Sequence, residues 1–147
     1  MAPTMKIMAR SWPHDVTLPD PTLPLRDRLR HLLDYVRLAP SIRNSQPWRL
    51  RLGDAWVELH AERARALPVA DPAGRGLTIS CGAALAFLEV AAHAAGLSTA
   101  IERLPGGLRE PDLLARLTIT GEAKPATEEP WLFQAMPKRR KIGRAHV

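Results

Sequence analysis

The feature that most constrains the fold is a long, nearly uncharged run from Leu77 to Gly96. Alanine is its commonest residue, and its ionisable residues are one glutamate, one histidine and one cysteine. A helix that is apolar on most of its faces has to be covered on more than one side. The run therefore predicts a long, buried central helix, with Thr78 or Ser80 capping its start and Gly96 its end.

The rest of the chain offers one amphipathic helix and several short strands as cover. Apolar residues at helical spacing predict the helix: Leu25, Leu29, Leu32, Leu33 and Val36. Alternating runs on either side of Gly53-Asp54 predict a half-buried hairpin, with positive φ at Gly53. Residues 98–104 predict a further strand, and residues 117–120 are rich in β-formers. These elements are the cover that the chain offers for its central helix.

A polar loop connects the first helix to the hairpin. Pro40 cannot continue the helix, and Ser41 and Asn44 can bond nearby backbone in turns. Pro47 is expected to hold Gln46 extended, and Trp48 opens the strand. A rigid, polar loop of this kind is a common setting for a ligand contact. A capped helix end followed by an ordinary turn explains the same residue types.

Composition and charge exclude several classes. Cys81 is the single cysteine, so there is no intramolecular disulfide or cysteine-based zinc cluster, and its apolar surroundings favour a buried, inert thiol. The net charge of +6 comes largely from residues 137–147, which hold five basic and no acidic residues. Without them 16 basic residues face 15 acidic ones, so we expect no nucleic-acid partner. The sequence shows neither a secretory signal nor a transmembrane run, which favours the cytoplasm and no membrane partner.

The loop also carries a resemblance to a known family. The pattern Pro40-Ser41-x-x-Asn44-x-Gln46-Pro47-Trp48 resembles the segment after the first long helix of nitroreductase-like FMN flavoproteins. The similarity to the two-lobed, Acg-type branch continues through residues 62–72, Ser80-Cys81-Gly82 and residues 133–140. It therefore covers about residues 25 to 140, as an ordered series of motifs.

The resemblance implies a fold, a cofactor and a site. The fold is a nitroreductase-like α+β lobe with a mixed, mainly antiparallel sheet, helices around it and a long buried central helix. The function is hydride transfer from NAD(P)H through FMN to a nitroaromatic, a quinone or a similar acceptor. The alternative is a protein that binds or sequesters flavin without efficient turnover. The residues that the resemblance places at the flavin are Ser41, Arg43, Asn44, Gln46, Arg139 and Arg140.

The same resemblance divides the chain. Residues 1–21 are expected to be a loose arm, residues 22–121 the N-terminal lobe, and residues 122–140 a linker and the start of a missing second lobe. Residues 141–147 resemble the translation of a common sequencing adapter; a genuine basic C-terminus is the alternative. The expected partners are FMN, a small-molecule acceptor, and either the missing second lobe or a homodimer partner.

No catalytic residue and no metal ligand can be assigned from the sequence. There is no nucleophile–base–orienter set, no glycine-rich dinucleotide fingerprint and no Walker loop. His60 has no second histidine at metal-ligand spacing. This pattern fits an enzyme whose cofactor carries the chemistry and whose protein supplies binding and orientation.

Overall fold

The computed structural model describes residues 4–5, 17–123 and 130–140. In these ranges one antiparallel sheet packs its apolar face against helices. The elements are β1 (Thr4–Met5), α1 (Leu25–Val36), β2 (Trp48–Leu52), β3 (Trp56–Ala61), α2 (Arg75–Ala94), β4 (Leu97–Arg103), β5 (Leu113–Glu122) and α3 (Pro130–Ala135). The α+β class predicted from the sequence is confirmed.

The strands lie in the order β1-β2-β3-β5-β4. All four pairings between the described strands are antiparallel, whereas the family resemblance implied a mixed sheet. β5 lies between β3 and β4, so Leu117 pairs with Val57 on one side and with Ile101 on the other. The apolar side chains of these strands point to the same face, because residues two apart in a strand share a face.

The β2–β3 hairpin forms where the sequence predicted it, with Leu50 opposite Leu59. The prediction of positive φ at Gly53 is wrong, since the positive-φ glycines of the described chain are Gly74, Gly96 and Gly107. A side chain at Gly53 would collide with the indole ring of Trp56. This glycine therefore serves a close side-chain approach rather than a left-handed turn.

α1 buries its leucine side against the sheet and α2. Tyr35 also meets the ring of Phe133 edge to face, with the ring centroids 4.9 Å apart. Phe133 and Met136 are both buried in the same core. Phe133 and Met136 therefore pack against the elements that precede them, in a segment that the sequence analysis assigns to the start of a second lobe.

α2 crosses the middle of the fold but is buried on one side only. Leu77, Cys81, Ala84 and Leu88 lie in the core, whereas Ile79 is 62% exposed. Among the described helices, α2 alone is long and apolar enough to cross a membrane. The core helix of a globular protein can have the same length and composition. Its predicted end at Gly96 is confirmed, with φ at 73° and the Gly96 N–H bonded to the His93 carbonyl.

Several sequence-based predictions concern residues outside the described ranges. They are most of the 1–21 arm, the 124–129 part of the linker and the adapter-like residues 141–147. Within the arm, Thr4–Met5 pairs with β2 as a short edge strand. The proposed domain division itself remains a prediction.

Candidate functional site

The loop between α1 and β2 carries an unusual backbone. Arg43, Asn44 and Gln46 all have positive φ, at 49°, 55° and 47°. For residues with a Cβ this conformation costs on the order of 1 kcal/mol each, and asparagine tolerates it better than arginine or glutamine. Such clusters persist where the surrounding structure holds them and are frequent at ligand sites.

Gln46 contradicts one sequence-based prediction. It precedes Pro47 and was expected to be extended, but its φ is 47°. Two contacts account for this: the Gln46 N–H donates to Ser41 Oγ at 3.1 Å, and Gln46 Nε2 donates to the Arg37 carbonyl at 3.2 Å. These hydrogen bonds within the helix end and loop override the preference of a residue before proline.

Ser41 forms hydrogen bonds with two later residues of the same loop. It is 5% exposed, its Oγ accepts the Gln46 N–H, and its carbonyl accepts the Asn44 N–H at 3.1 Å. The predicted turn role of Ser41 is thus confirmed. The Asn44 side chain behaves differently, because it is exposed and forms no hydrogen bond within the described residues.

The loop rests on the first turns of α2. The Ile42 N–H donates to Ser80 Oγ at 3.1 Å, and Ser80 Oγ donates to the Gly76 carbonyl at 2.6 Å. The helix start is capped by Asp71, whose two carboxylate oxygens accept the N–H groups of Gly76 and Leu77 at 2.9 and 2.8 Å. These bonds hold the pKa of Asp71 below its ordinary value.

The predicted caps of α2, Thr78 and Ser80, are therefore wrong. Both hydroxyls instead donate to the carbonyl four residues earlier, Gly74 for Thr78 and Gly76 for Ser80. Asp71 takes the capping role from outside the helix, across the turn that ends at Gly74. The turn-forming sequence 71–74 was the available signal for this arrangement.

A groove of about 250 Å³ lies between the loop and α2. Its walls are mostly apolar, and Ser41 and Ser80 are its hydroxyl-bearing residues. Its lining residues are Pro40, Ser41, Ile42, Gly76, Ile79, Ser80 and Ala83. A concave apolar surface beside a few polar groups is the usual character of a small-molecule site.

A second, open groove of about 720 Å³ follows the exposed side of α2 toward β4. Gly82 and Ala86 form its helical wall, and Ile101 and Arg103 lie on its strand side. A Cβ at Gly82 would meet no atom within 4 Å. The outer side of α2 is therefore bare within the described chain.

The C-terminal segment brings Arg139 to the base of the loop. Its Nε and Nη2 both donate to the Leu38 carbonyl, at 3.1 and 2.9 Å. Leu38 follows the C-terminus of α1, where carbonyls lack helical partners and a positive charge is favourable. Arg139 and Gln46 thus both satisfy carbonyls at the end of this helix, Leu38 and Arg37 respectively.

The six predicted site residues separate into two groups. Ser41, Gln46 and Arg139 use polar atoms to build the loop and its base. Three others are exposed, and their side chains have no hydrogen bond or ion pair within the described residues; these are Arg43, Asn44 and Arg140. The second group is available to a ligand.

Cys81 lies directly beneath the loop. It is 1% exposed, and its Sγ donates to the Pro47 carbonyl at 3.3 Å. Burial raises the pKa of the Cys81 thiol to about 11. The prediction of a buried, inert thiol is confirmed, because a thiol with this pKa is essentially protonated at neutral pH.

A cluster of charged residues lies on the face of the sheet opposite Val57 and Leu59. Glu58 is 3% exposed and accepts hydrogen bonds from Arg116 Nη2 at 2.6 Å, Arg51 Nη1 at 3.2 Å and His60 Nε2 at 3.1 Å. We call these four residues the Glu58 cluster. Burial would raise the pKa of Glu58, but the hydrogen bonds from Arg116 and His60 outweigh it and lower the pKa. No group of three or more potential metal ligands occurs within the described residues.

No family model matches the chain. It is 38% identical over 88 residues to the Mycobacterium tuberculosis protein named "Putative NAD(P)H nitroreductase acg". The matched region covers 60% of this chain and 26% of that protein. It is similar to proteins named as nitroreductases. A second, "Putative NAD(P)H nitroreductase Rv3131", is 34% identical over 125 residues, 84% of this chain and 35% of the relative.

A third relative from the same organism, "Uncharacterized protein Rv3127", is 42% identical over 86 residues, 56% of this chain. The chain spans about a quarter to a third of the length of these curated relatives. The names of the first two support the nitroreductase-like resemblance of the sequence.

Proposed function

We propose that this chain is part of a longer, nitroreductase-like FMN oxidoreductase. The complete protein would pass hydride from NAD(P)H through FMN to a nitroaromatic, a quinone or a similar acceptor. The similarity to two relatives named as NAD(P)H nitroreductases supports an NAD(P)H-dependent oxidoreductase in general. FMN, the acceptor and the residue roles are parts of the proposal.

The observation that carries the proposal is the contrast within the 41–46 loop. Its backbone is strained at three positions and held from below by Ser41 and Ser80. Its outer side chains, Arg43 and Asn44, remain exposed and unpaired within the described chain. Strain retained beneath unpaired polar groups favours ligand binding over a turn that merely connects two elements.

The residues present fit the polar parts of FMN. The Asn44 amide has both donors and an acceptor to offer to a ring edge or ribityl chain. The guanidinium groups of Arg43 and Arg140 suit a phosphate, because arginine matches phosphate geometry with paired N–H donors. Bound FMN would supply the hydride chemistry, and the chain would supply binding and orientation.

The test is purification of the complete polypeptide that contains this sequence. It should be yellow and release non-covalent FMN on denaturation, as judged by absorbance and chromatography of the released flavin. A colourless protein that gains no flavin spectrum on incubation with FMN would count decisively against the proposal.

Steady-state NAD(P)H oxidation then separates the two functional alternatives. Turnover with a nitroaromatic or quinone acceptor supports the oxidoreductase. Tight FMN binding without turnover supports a flavin-binding or sequestering protein. The localisation is proposed to be cytoplasmic, where the buried thiol of Cys81 remains reduced.

The partner is proposed to be a second lobe or a second copy of the chain. The 720 Å³ groove and the exposed Ile79 leave the outer side of α2 uncovered within the described residues. We expect residues 1–140 alone to self-associate and to bind FMN weakly. Size-exclusion chromatography and flavin titration measure both properties, and a clean monomer with micromolar affinity for FMN would contradict the expectation.

A further inference from the structure

We propose that Ser80, on α2, is a positioning residue for the flavin-binding loop. The inference rests on the proposed function, and it assigns Ser80 a role in holding Ile42 rather than in touching FMN. Ser80 is 3% exposed. Its hydroxyl joins the helix that supports the groove to the strained backbone that carries Arg43 and Asn44.

The Ser80 hydroxyl is used in both directions. It donates to the Gly76 carbonyl at 2.6 Å, which fixes the orientation of its oxygen. The same oxygen accepts the Ile42 N–H at 3.1 Å. Ile42 is the first residue of the 3₁₀ turn Ile42–Asn44, so its N–H lacks a partner within that turn.

Gly76 provides a notch for the same residue. A Cβ at Gly76 would lie 2.9 Å from Ile42 Cδ1 and 3.2 Å from Asp71 Oδ2. The absence of a side chain therefore lets Ile42 seat against the helix while Asp71 caps it. The Ser80 hydroxyl thus holds the Ile42 N–H, and the open space at Gly76 accommodates the Ile42 side chain.

The consequence concerns Arg43 and Asn44, the next two residues. Both have positive φ, and residues with a Cβ leave this conformation readily when the surrounding contacts are lost. Once the Ile42 N–H loses Ser80, the turn can relax and its outer side chains change direction. FMN binding then has to restore the native loop, so its apparent affinity falls with the fraction of correctly formed loop.

The test compares Ser80→Ala with Thr78→Ala in the complete polypeptide. Thr78 makes the same type of bond, to the Gly74 carbonyl at 3.0 Å, but it is exposed and contacts no loop N–H within the described chain. FMN affinity is measured by fluorescence titration and normalised to the folded fraction from circular dichroism. We expect Ser80→Ala to weaken FMN binding about tenfold, the effect of one lost buried hydrogen bond, and Thr78→Ala to leave it within about twofold.

Hydrogen exchange provides a readout that does not need FMN. Ser80→Ala should lower the protection of the Ile42 amide in the complete polypeptide without added FMN, and Thr78→Ala should not.

The outcomes separate this inference from the proposed function. If the wild-type polypeptide binds FMN and Ser80→Ala binds it equally well per folded molecule, the positioning role is wrong. Equal weakening by Ser80→Ala and Thr78→Ala would also overturn it, because a general loss of helix stability would then explain the effect. A wild-type polypeptide without FMN affinity would overturn the proposed function, and this inference with it.

Discussion

The 41–46 loop and the Glu58 cluster differ in whether their polar side chains have hydrogen-bond partners. In the cluster, one buried carboxylate receives hydrogen bonds from two arginines and a histidine. In the loop, two adjacent residues with positive φ, Arg43 and Asn44, hold polar side chains outward without a partner in the described chain. The cluster pairs its polar groups with one another, whereas the loop leaves the guanidinium of Arg43 and the amide of Asn44 available.

The difference separates a structural polar network from a candidate binding site. The cluster has the larger charge density, and the direction of the Glu58 pKa shows a well-paired carboxylate. Perturbed pKa values occur at structural ion pairs as well as at active sites. Backbone strain beneath unpaired groups is the more informative signal here, because such strain clusters at ligand sites.

The largest expected effect is on stability at the Glu58 cluster. Glu58→Gln should lower the free energy of unfolding by about 2 kcal/mol, below the range for fully buried pairs because Arg51 and Arg116 are about one-third exposed. Chemical denaturation measures the loss. FMN affinity per folded molecule should not change, and a marked fall in that affinity would break the distinction between the two regions.

Asp112→Asn is the matched control for that substitution. Asp112 pairs with Arg63 at 2.8 Å, but both side chains are about half exposed. Removing this charge should cost less than about 1 kcal/mol, as is usual for surface ion pairs. A loss equal to that of Glu58→Gln would show that burial does not distinguish the cluster.

The free energy of unfolding should depend on pH through the same carboxylate, Glu58. The pKa of Glu58 is lowered in the folded chain from an ordinary value of 4.5. Its contribution to stability is therefore complete above pH 4.5 and is lost as the pH falls through 4.5 to the folded pKa. Denaturation measured across this window should be less pH-dependent in Glu58→Gln, with a residual dependence from Asp71, whose pKa is also lowered.

Neighbouring arginines give the next test. Arg140 is exposed and unpaired in the described chain, so Arg140→Ala should weaken FMN binding by about 1.5 kcal/mol and leave unfolding nearly unchanged. Arg139→Ala removes both bonds to the Leu38 carbonyl and should lower stability. FMN titration and thermal melting in the complete polypeptide distinguish the two; identical profiles would contradict this assignment.

The smallest expected effect concerns Asn44. Asn44→Ala should weaken FMN binding by about 1 kcal/mol through loss of the amide. Asn44→Gly is the control, because glycine removes the amide while accepting the positive φ of 55°. If both variants lose affinity equally, the side chain is responsible. If Asn44→Gly binds FMN normally and Asn44→Ala melts earlier, the residue acts as an ordinary turn former.

The sequence anticipated the elements because their periodicity is local. Leucine spacing predicted α1, and the alternation around Gly53-Asp54 predicted the β2–β3 hairpin. The apolar run predicted α2 and its end near Gly96. The run also suggested that α2 is buried on most sides, whereas Ile79 is exposed. The prediction failed because hydrophobicity indicates which surfaces need cover but not which elements supply that cover.

The candidate site depended less on local pattern. Residue types singled out the 40–48 loop, and the resemblance named its residues, but neither indicated the left-handed backbone at Gln46. That conformation depends on the Ser41 hydroxyl and the Arg37 carbonyl, which belong to different parts of the connection. The α2 cap was likewise assigned to Thr78 or Ser80, whereas Asp71 reaches it from the preceding turn.

By itself, the sequence determined the α+β class, the order of the main elements and the segment in which a ligand contact is expected. Tertiary structure decided that β5 lies between β3 and β4, that Arg139 closes the end of α1, and that Ser80 holds Ile42. The physical reason is the sequence separation over which each interaction acts. Side-chain spacing fixes local conformation, whereas hydrogen bonds between residues 38 and 101 positions apart exist only after the core has brought them together.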